Sequence, residues 1–272
     1  MNNAQKAKLR RSWLKVHAAG EKQLKAALVK FFAAQRSRIA AAAKDLKTLT
    51  VASARELLNV KDEHDWMMTA VEPILGNLLA TGAARIFVMR PAKLKKTSKA
   101  FDFSASDLED FDLPAHMITS MQSAFDNLAG QQYWKDIQDG TLLQVRDSLA
   151  RGIEDGLSVP NLKKLLLAEH KGMSEVRAAA IARTETNAAM AAGAQSSYET
   201  LRADGDELQK AWISIVDADT RPDHAAADNQ TVDVEEEFTL GSEKCMAPGA
   251  PSLSAKQRCN CRCGTVGVWG EE

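Results

Sequence analysis

From Ala4 to about Lys47 the chain runs without a proline and with a single glycine, Gly20; no other feature narrows its folds so much. Proline removes a backbone donor and clashes inside a helix, so its absence leaves the whole stretch free to be helical. Leu9, Trp13, Val16, Leu24, Leu28 and Phe31 recur at helical spacing, with lysines and arginines between them. The run predicts one long or two shorter amphipathic basic helices.

Further along, Ser53 is placed to cap a short helix ending at Asn59, and a longer helix starts near Lys61. Trp66, Val71, Ile74, Leu75, Leu78 and Leu79 supply its apolar face, and Pro73 should kink it or mark a boundary. The stretch RPAKLKKTSKAFDFSASDLEDFDLP has prolines near both ends and no apolar period, so it reads as a loop or linker. A helix-rich segment follows from Pro114 to about Gly152, with Met117, Met121, Phe125, Leu128, Tyr133, Trp134, Leu142, Val145 and Leu149 as core candidates. Between residues 155 and 201 the sequence predicts a helix–turn–helix. Ser158 and Pro160 start the first helix, Gly172 ends it, and Ser174 caps an alanine-rich second one. Past Gly205 the period changes. AWISIVDA alternates like a strand, and QTVDVEEEF and GTVGVW look like two more short strands. The fold class expected is α+β: a predominantly helical N-terminal half and a small mixed α+β C-terminal domain, divided at about 150/151.

The chain has 272 residues, 45% hydrophobic and 26% charged, which is too apolar for bulk disorder. No run of eighteen apolar residues predicts a membrane span, and the N-terminus lacks the pattern of a secretory signal. Synthesis in a reducing cytoplasm is therefore expected, which disfavours disulfides among Cys245, Cys259, Cys261 and Cys263. The net charge of −1 hides an asymmetry: residues 1–50 hold twelve Lys/Arg against two acids, and residues 101–150 hold nine acids against two bases. A basic arm points to nucleic acid or an acidic protein surface, while mutual neutralisation of the two halves is the alternative. Lys6, Lys8, Arg10, Arg11, Lys15, Lys22 and Lys25 are the residues that would meet phosphates by counterion release. Trp13 and Phe31–Phe32 are better explained by packing than by base stacking.

RCNCRCG gathers three of the four cysteines at every second position. Two sulfurs on one zinc lie less than about 4.6 Å apart. In an extended segment Cys259 and Cys263 would be roughly 13 Å apart, so at most two of the three share an ion, Cys261 and Cys263 being the better pair. His224 is a candidate third ligand and Cys245 a fourth, giving a closed structural site; Cys259 is the substitute. Core thiols are the alternative reading. The turn DADTRPDH offers Asp217, Asp219 and His224 for a catalytic divalent ion, or else a turn knitted by Asp side chains, with Arg221 pairing a nearby acid. In IARTETN, Arg183 and Asn187 share a helical face while Glu185 projects elsewhere. Surface ion pairing is the default there, and pinning of the helix to the Asp/Arg turn is the alternative.

Taken in order, the helix with IARTE, the Trp-bearing strand, DADTRPDH, a Gly-Pro stretch and the terminal NCRC resemble the phage Mu F-like minor head proteins, also described as phage head morphogenesis proteins. The resemblance covers about residues 150–268. Arg183, Thr184 and Glu185 match its helical motif, Asp217, Thr220, Arg221 and His224 its turn, and Asn260, Cys261, Arg262 and Cys263 its terminal motif. Some relatives carry Cys-x-x-Cys where Arg221 and His224 stand, so only His224 keeps a ligand type. Many carry glycine near Asp228–Asn229, and Cys245 and Cys259 lie outside the pattern.

The resemblance implies a non-enzymatic, low-copy virion protein near the portal vertex, needed for head assembly, DNA packaging or delivery, with zinc at the Cys and His positions. Its implied partners are the portal protein and the major capsid or scaffold protein, with DNA or portal contact through the basic helices. The rival reading is a metal-dependent enzyme acting on nucleic acid through Asp217, Asp219 and His224.

Overall fold

The proline-free run folds as a single helix, α1 (Asn3–Asp45), in the computed structural model, which describes residues 3–45, 48–90 and 115–270. A one-turn 3-10 helix (Val51–Ser53) leads into the short α2 (Ala54–Leu57). Thr50 takes the cap position there, and its N–H donates to Ser53 Oγ at 3.2 Å, so Ser53 closes a capping box from inside the helix. α3 (Val60–Val88) runs on through Pro73. α4 (Ala115–Ala129) and α5 (Gln132–Glu154) make up the helix-rich segment expected, and they part at Gly130. The expected linker at 91–114 lies outside the described residues.

The helix–turn–helix expected around Gly172 is not formed. Residues 159–203 make one helix, α6 (Val159–Ala203). A glycine inside a helix costs only about 1 kcal/mol, and the residues beyond it bury Ala178, Ala182, Ala188, Ala189, Ala194 and Leu201. Tertiary burial outweighs the local stop signal.

By contacts the chain sorts into two compact units: Met1–Gln23, Ile74–Leu128 and Ala182–Glu272 in one, Leu24–Pro73 and Ala129–Ile181 in the other. One division between them falls at Pro73, the expected break in α3. The second unit is all helical. Ile39, Leu49, Leu57, Val145, Leu149 and Leu162 belong to its apolar core. A buried polar network crosses it: Gln35 donates to Glu63 at 3.2 Å and to Gln138 at 2.8 Å, and its carbonyl meets His170 Nε2 at 3.1 Å. Trp66 was expected in the core but is 49% exposed. Its ring instead carries the Arg38 guanidinium, 4.4 Å from the centroid, a cation–π contact that accounts for a tryptophan at the surface.

The first unit holds all five strands described. β1 (Leu208–Ile213) is central in an antiparallel sheet, between β2 (Thr231–Asp233) and β5 (Gly264–Trp269). Ala211 pairs with Thr231 on one side, and Ile213 with Gly264 on the other. Ala211, Ile213 and Val266 join a helical core with Leu9, Leu79, Phe87 and Tyr198. Trp212 lies in a smaller core with Phe238, Leu240, Cys245, Cys261 and Cys263. A hairpin that periodicity missed, β3 (Phe238–Leu240) and β4 (Glu243–Cys245), covers that second core. β1 stops at Ile213 rather than running to Val216, whose φ of 59° is left-handed and unfavourable for a β-branched side chain. The architecture is α+β, with short antiparallel strands confined to the C-terminal region.

In this unit α3 and α6 touch backbone to backbone. A Cβ on Gly82 would sit 2.0 Å from the Met190 carbonyl oxygen, and one on Gly193 would sit 1.9 Å from that of Leu79. α3 is also the one described helix apolar and long enough to cross a bilayer, although 56% of its most apolar window is buried within the fold.

Candidate metal centre

His224 stands on the short helix α7 (Pro222–Ala226), which begins at Arg221 with Pro222 in its first turn. The turn before it is knitted by Asp217: its carboxylate accepts from Thr220 Oγ1 at 3.0 Å and from the Asp219 amide at 3.2 Å. Arg262 grips that carboxylate through both terminal nitrogens, each at 2.9 Å, and reaches Asp219 at 3.7 Å. Hydrogen bonds to Arg262 and Thr220 hold the Asp217 carboxyl below its ordinary value, against a desolvation cost. Among the described residues Arg221 pairs no acid, contrary to expectation. Its guanidinium donates to the carbonyls of Gln257 and Cys259.

The second limb is the cysteine segment. α8 (Ala255–Arg258) ends at Cys259. Asn260 then turns the chain with φ 57°, a left-handed conformation that asparagine tolerates. Past that turn Cys261 and Cys263 are both buried, whereas Cys259 is half-buried and serves the site through its carbonyl.

His224 Nδ1 lies 3.3 Å from Cys263 Sγ and 3.6 Å from Cys261 Sγ. The three ligand atoms all fall within 4.8 Å of one another. Zinc bonds of about 2.3 Å to sulfur and about 2.0 Å to nitrogen place N and S ligands of a tetrahedral ion about 3.5 Å apart, and two sulfurs about 3.8 Å apart. The two nitrogen–sulfur distances therefore suit such an ion, and all three donors are close enough to share it. Cys245 is not in the group. It ends β4 within the apolar core, and burial pushes its thiol up to about 12, as expected of an inert structural cysteine. Asp217, Asp219 and Cys259 also stand outside it among the described residues.

The surroundings fix the imidazole. Gln257 Nε2 donates to Asp223 Oδ2 at 2.6 Å, which aims its carbonyl at His224 Nε2, 3.1 Å away. His224 Nε2 must then carry the hydrogen, leaving the Nδ1 lone pair toward the sulfurs. Ser214 Oγ donates to the His224 carbonyl, and the Trp212 ring meets the imidazole edge to face at 5.9 Å. The hydrogen bond from Cys261 holds Cys263 down, while giving that hydrogen bond and burial push Cys261 up.

Around this centre the remaining motif residues act as fasteners. Glu185 on α6 is fully buried and meets Arg258 at 2.9 and 3.2 Å. Burial pushes its carboxyl up and Arg258 opposes the shift. Thr184 Oγ1 accepts from the Asn260 amide at 3.0 Å, and Asn187 donates to the Pro248 carbonyl at 3.2 Å. Arg183 pairs with Glu21 at 3.1 Å. The motif thus pins the helix mainly to the cysteine segment rather than to the Asp/Arg turn. Where the resemblance leads one to expect glycine, Asn229 has φ 68° and keeps the left-handed backbone.

Several contributors were not legible in sequence. Trp13 Nε1 donates to the Arg262 carbonyl at 2.8 Å, and a Cβ on Gly264 would lie 2.8 Å from the Trp13 ring. Arg85 is wholly buried and donates to the Thr265 carbonyl at 2.9 Å. Gln257 and Ser214 sit among unremarkable neighbours, and no spacing marks them. Of the basic residues, Arg10 is taken by the fold, through Ser214 O at 2.8 Å and Asp228 at 2.6 Å. Lys6 and Lys8 are half-buried, and Arg11, Lys15, Lys22 and Lys25 are exposed on α1.

Residues 143–266 match the family described as Phage Mu protein F like protein. A minor head protein of Bacillus phage SPP1 is 30% identical over 130 residues, 46% of this chain and 42% of that protein. An uncharacterised protein of Bacillus subtilis is 33% identical over 44% of this chain and 39% of its own length. An NAD(+)-arginine ADP-ribosyltransferase of Enterococcus faecalis is 30% identical over 48% of this chain and 26% of its own length. The chain thus spans between a quarter and about two fifths of these curated relatives. No solved structure matches it significantly.

Proposed function

We propose, from the premise that residues 143–266 form a Phage Mu F-like region, that this chain is a bacteriophage minor head protein. In this reading it is a low-copy, non-enzymatic virion component of the head, near the portal vertex, made in the host cytoplasm. Its partners are the portal protein and the major capsid or scaffold protein, and it supports head morphogenesis, DNA packaging or delivery. One observation carries the reading: the motif residues act as internal fasteners. Glu185 holds Arg258, Thr184 holds the Asn260 amide, and Asp217 holds Arg262. Groups so engaged serve a docking module better than a reaction centre. The modules proposed are a helical region over 1–150 and a head-morphogenesis region over 151–272. Exposed Arg11, Lys15, Lys22 and Lys25, with Lys6 and Lys8 beside them, are the proposed contacts to DNA or portal.

The test is incorporation. Purified heads should contain the chain in few copies, and it should bind portal protein; particles that assemble and package normally without its gene would sink the reading. The transferase named above shares only 26% of its length with this chain. That activity is therefore not carried over. The rival metal-enzyme reading lacks support from geometry, because His224 is buried among sulfurs while Asp217 and Asp219 face Arg262.

Zinc is the proposed ion for His224, Cys261 and Cys263. When bound it would cross-link α7 to the cysteine segment, a structural contribution. Elemental analysis of protein purified without added metal should find about one zinc per chain, and a chelator should lower the melting temperature.

A further inference from the structure

Among the described residues, zinc at His224, Cys261 and Cys263 leaves a tetrahedral ion one ligand short. All three proposed ligand residues line one small cleft whose other walls include Thr220, Arg221, Asn260 and Arg262. The cleft has about 20 Å³ open to water, room for one donor of water size. Neither of the other cysteines can complete the set as folded. Cys245 and Cys259 fall outside the ligand group, and neither lines the cleft.

Charge then says what the fourth position accepts. A divalent ion, two thiolates and a neutral imidazole sum to zero, so the site's polarity is set by its rim. Arg221 and Arg262 both line it. Among the described residues the first is bound only to backbone carbonyls, so none of their carboxylates neutralises its charge. The second pairs with Asp217 and, more distantly, with Asp219. Asp219 also lines the cleft, but its side chain is 87% exposed and its oxygens stand outside the ligand group.

We infer that His224, Cys261 and Cys263 form a three-ligand metal site whose fourth position opens into the Arg221/Arg262 cleft and takes an exchangeable, singly coordinated anionic donor from outside this chain. This inference rests on the zinc reading and goes beyond it. A closed four-ligand site is a staple; an open one is a place where the chain takes up a ligand.

The experiment is a cobalt(II) titration of the full chain under reducing conditions, followed by azide. Cobalt should bind with the thiolate charge-transfer absorption of two sulfurs. Azide should then shift the visible bands saturably, a result that needs no variant. Cys261→Ser and Cys263→Ser should each halve the charge-transfer intensity. Cys245→Ser, Cys259→Ser and Asp219→Asn should leave the spectrum unchanged. Bands insensitive to azide, a third thiolate lost in Cys245→Ser or Cys259→Ser, or bands moved by Asp219→Asn would each overturn the open position and leave the metal reading standing. Failure to bind cobalt or zinc at all would instead remove the metal reading, and the inference with it.

Discussion

Glu185 is the residue whose loss should cost most. It is fully buried on α6 and meets Arg258 through both carboxylate oxygens. Glu185→Ala leaves a guanidinium buried without its partner, which typically destabilises by about 3–5 kcal/mol. The double variant Glu185→Ala with Arg258→Met should recover much of that, and urea midpoints of the two proteins would decide it. Equal midpoints would mean that the unpartnered guanidinium is not the source of the loss. At this scale the sequence was partly readable. Chain geometry limited the cysteines on one ion to two, because an extended segment cannot fold three alternate sulfurs onto it, and the family resemblance singled out Cys261 and Cys263 and left Cys259 as the odd one. Gln257, Ser214 and Arg258 were not readable as site residues, since each acts through a partner fixed only by the fold.

Among elements, the crossing of α3 and α6 is set by glycine. Because Gly82 and Gly193 admit a carbonyl at about 2 Å from where a Cβ would stand, Gly193→Ala must push two helix backbones apart, at about 1–3 kcal/mol. Gly140 on α5 is the control. A Cβ there meets only Arg177 Nη2 at 3.5 Å, so Gly140→Ala should stabilise by up to about 1 kcal/mol through helix propensity. Thermal melting of both variants should move in opposite directions. The long helices were legible because their apolar residues repeat over many turns, as Leu9 to Phe31 do on α1. The continuity of α6 was not, because Gly172 and Ser174 read as stop and start while the burial that overrides them is tertiary. The β3–β4 hairpin escaped notice because three-residue strands around Gly241 are too short for a period to emerge.

For the molecule as a whole, stability should depend on buried histidines. His17 and His170 are both buried, and burial first, then neighbouring arginines, lowers each to about 4. An unfolded histidine titrates near 6.5. Between those values the unfolded chain holds a proton that the folded chain refuses, so stability falls as pH drops from about 6.5 toward 4. Each histidine contributes about 2 kcal/mol of loss at pH 5. Glu185 works the other way: burial pushes its carboxyl up to about 7, so the folded chain takes that proton first and gains as pH falls. The clean observable is therefore a difference. From pH 7 to pH 5, His170→Gln should lose about 2 kcal/mol less than wild type in urea denaturation. Parallel pH profiles would refute the assignment.

The bond from Trp13 to the Arg262 carbonyl joins positions 249 apart, and that from Arg10 to Asp228 joins positions 218 apart. Closing such loops carries an entropic cost that local helices do not face, so these contacts form late in folding. His224 and its two cysteines are only 37 and 39 positions apart, so the ligand group closes a much shorter loop than either of these bonds. A chain stalled or cut before residue 262 would have its helices in place and still hold no ligand group.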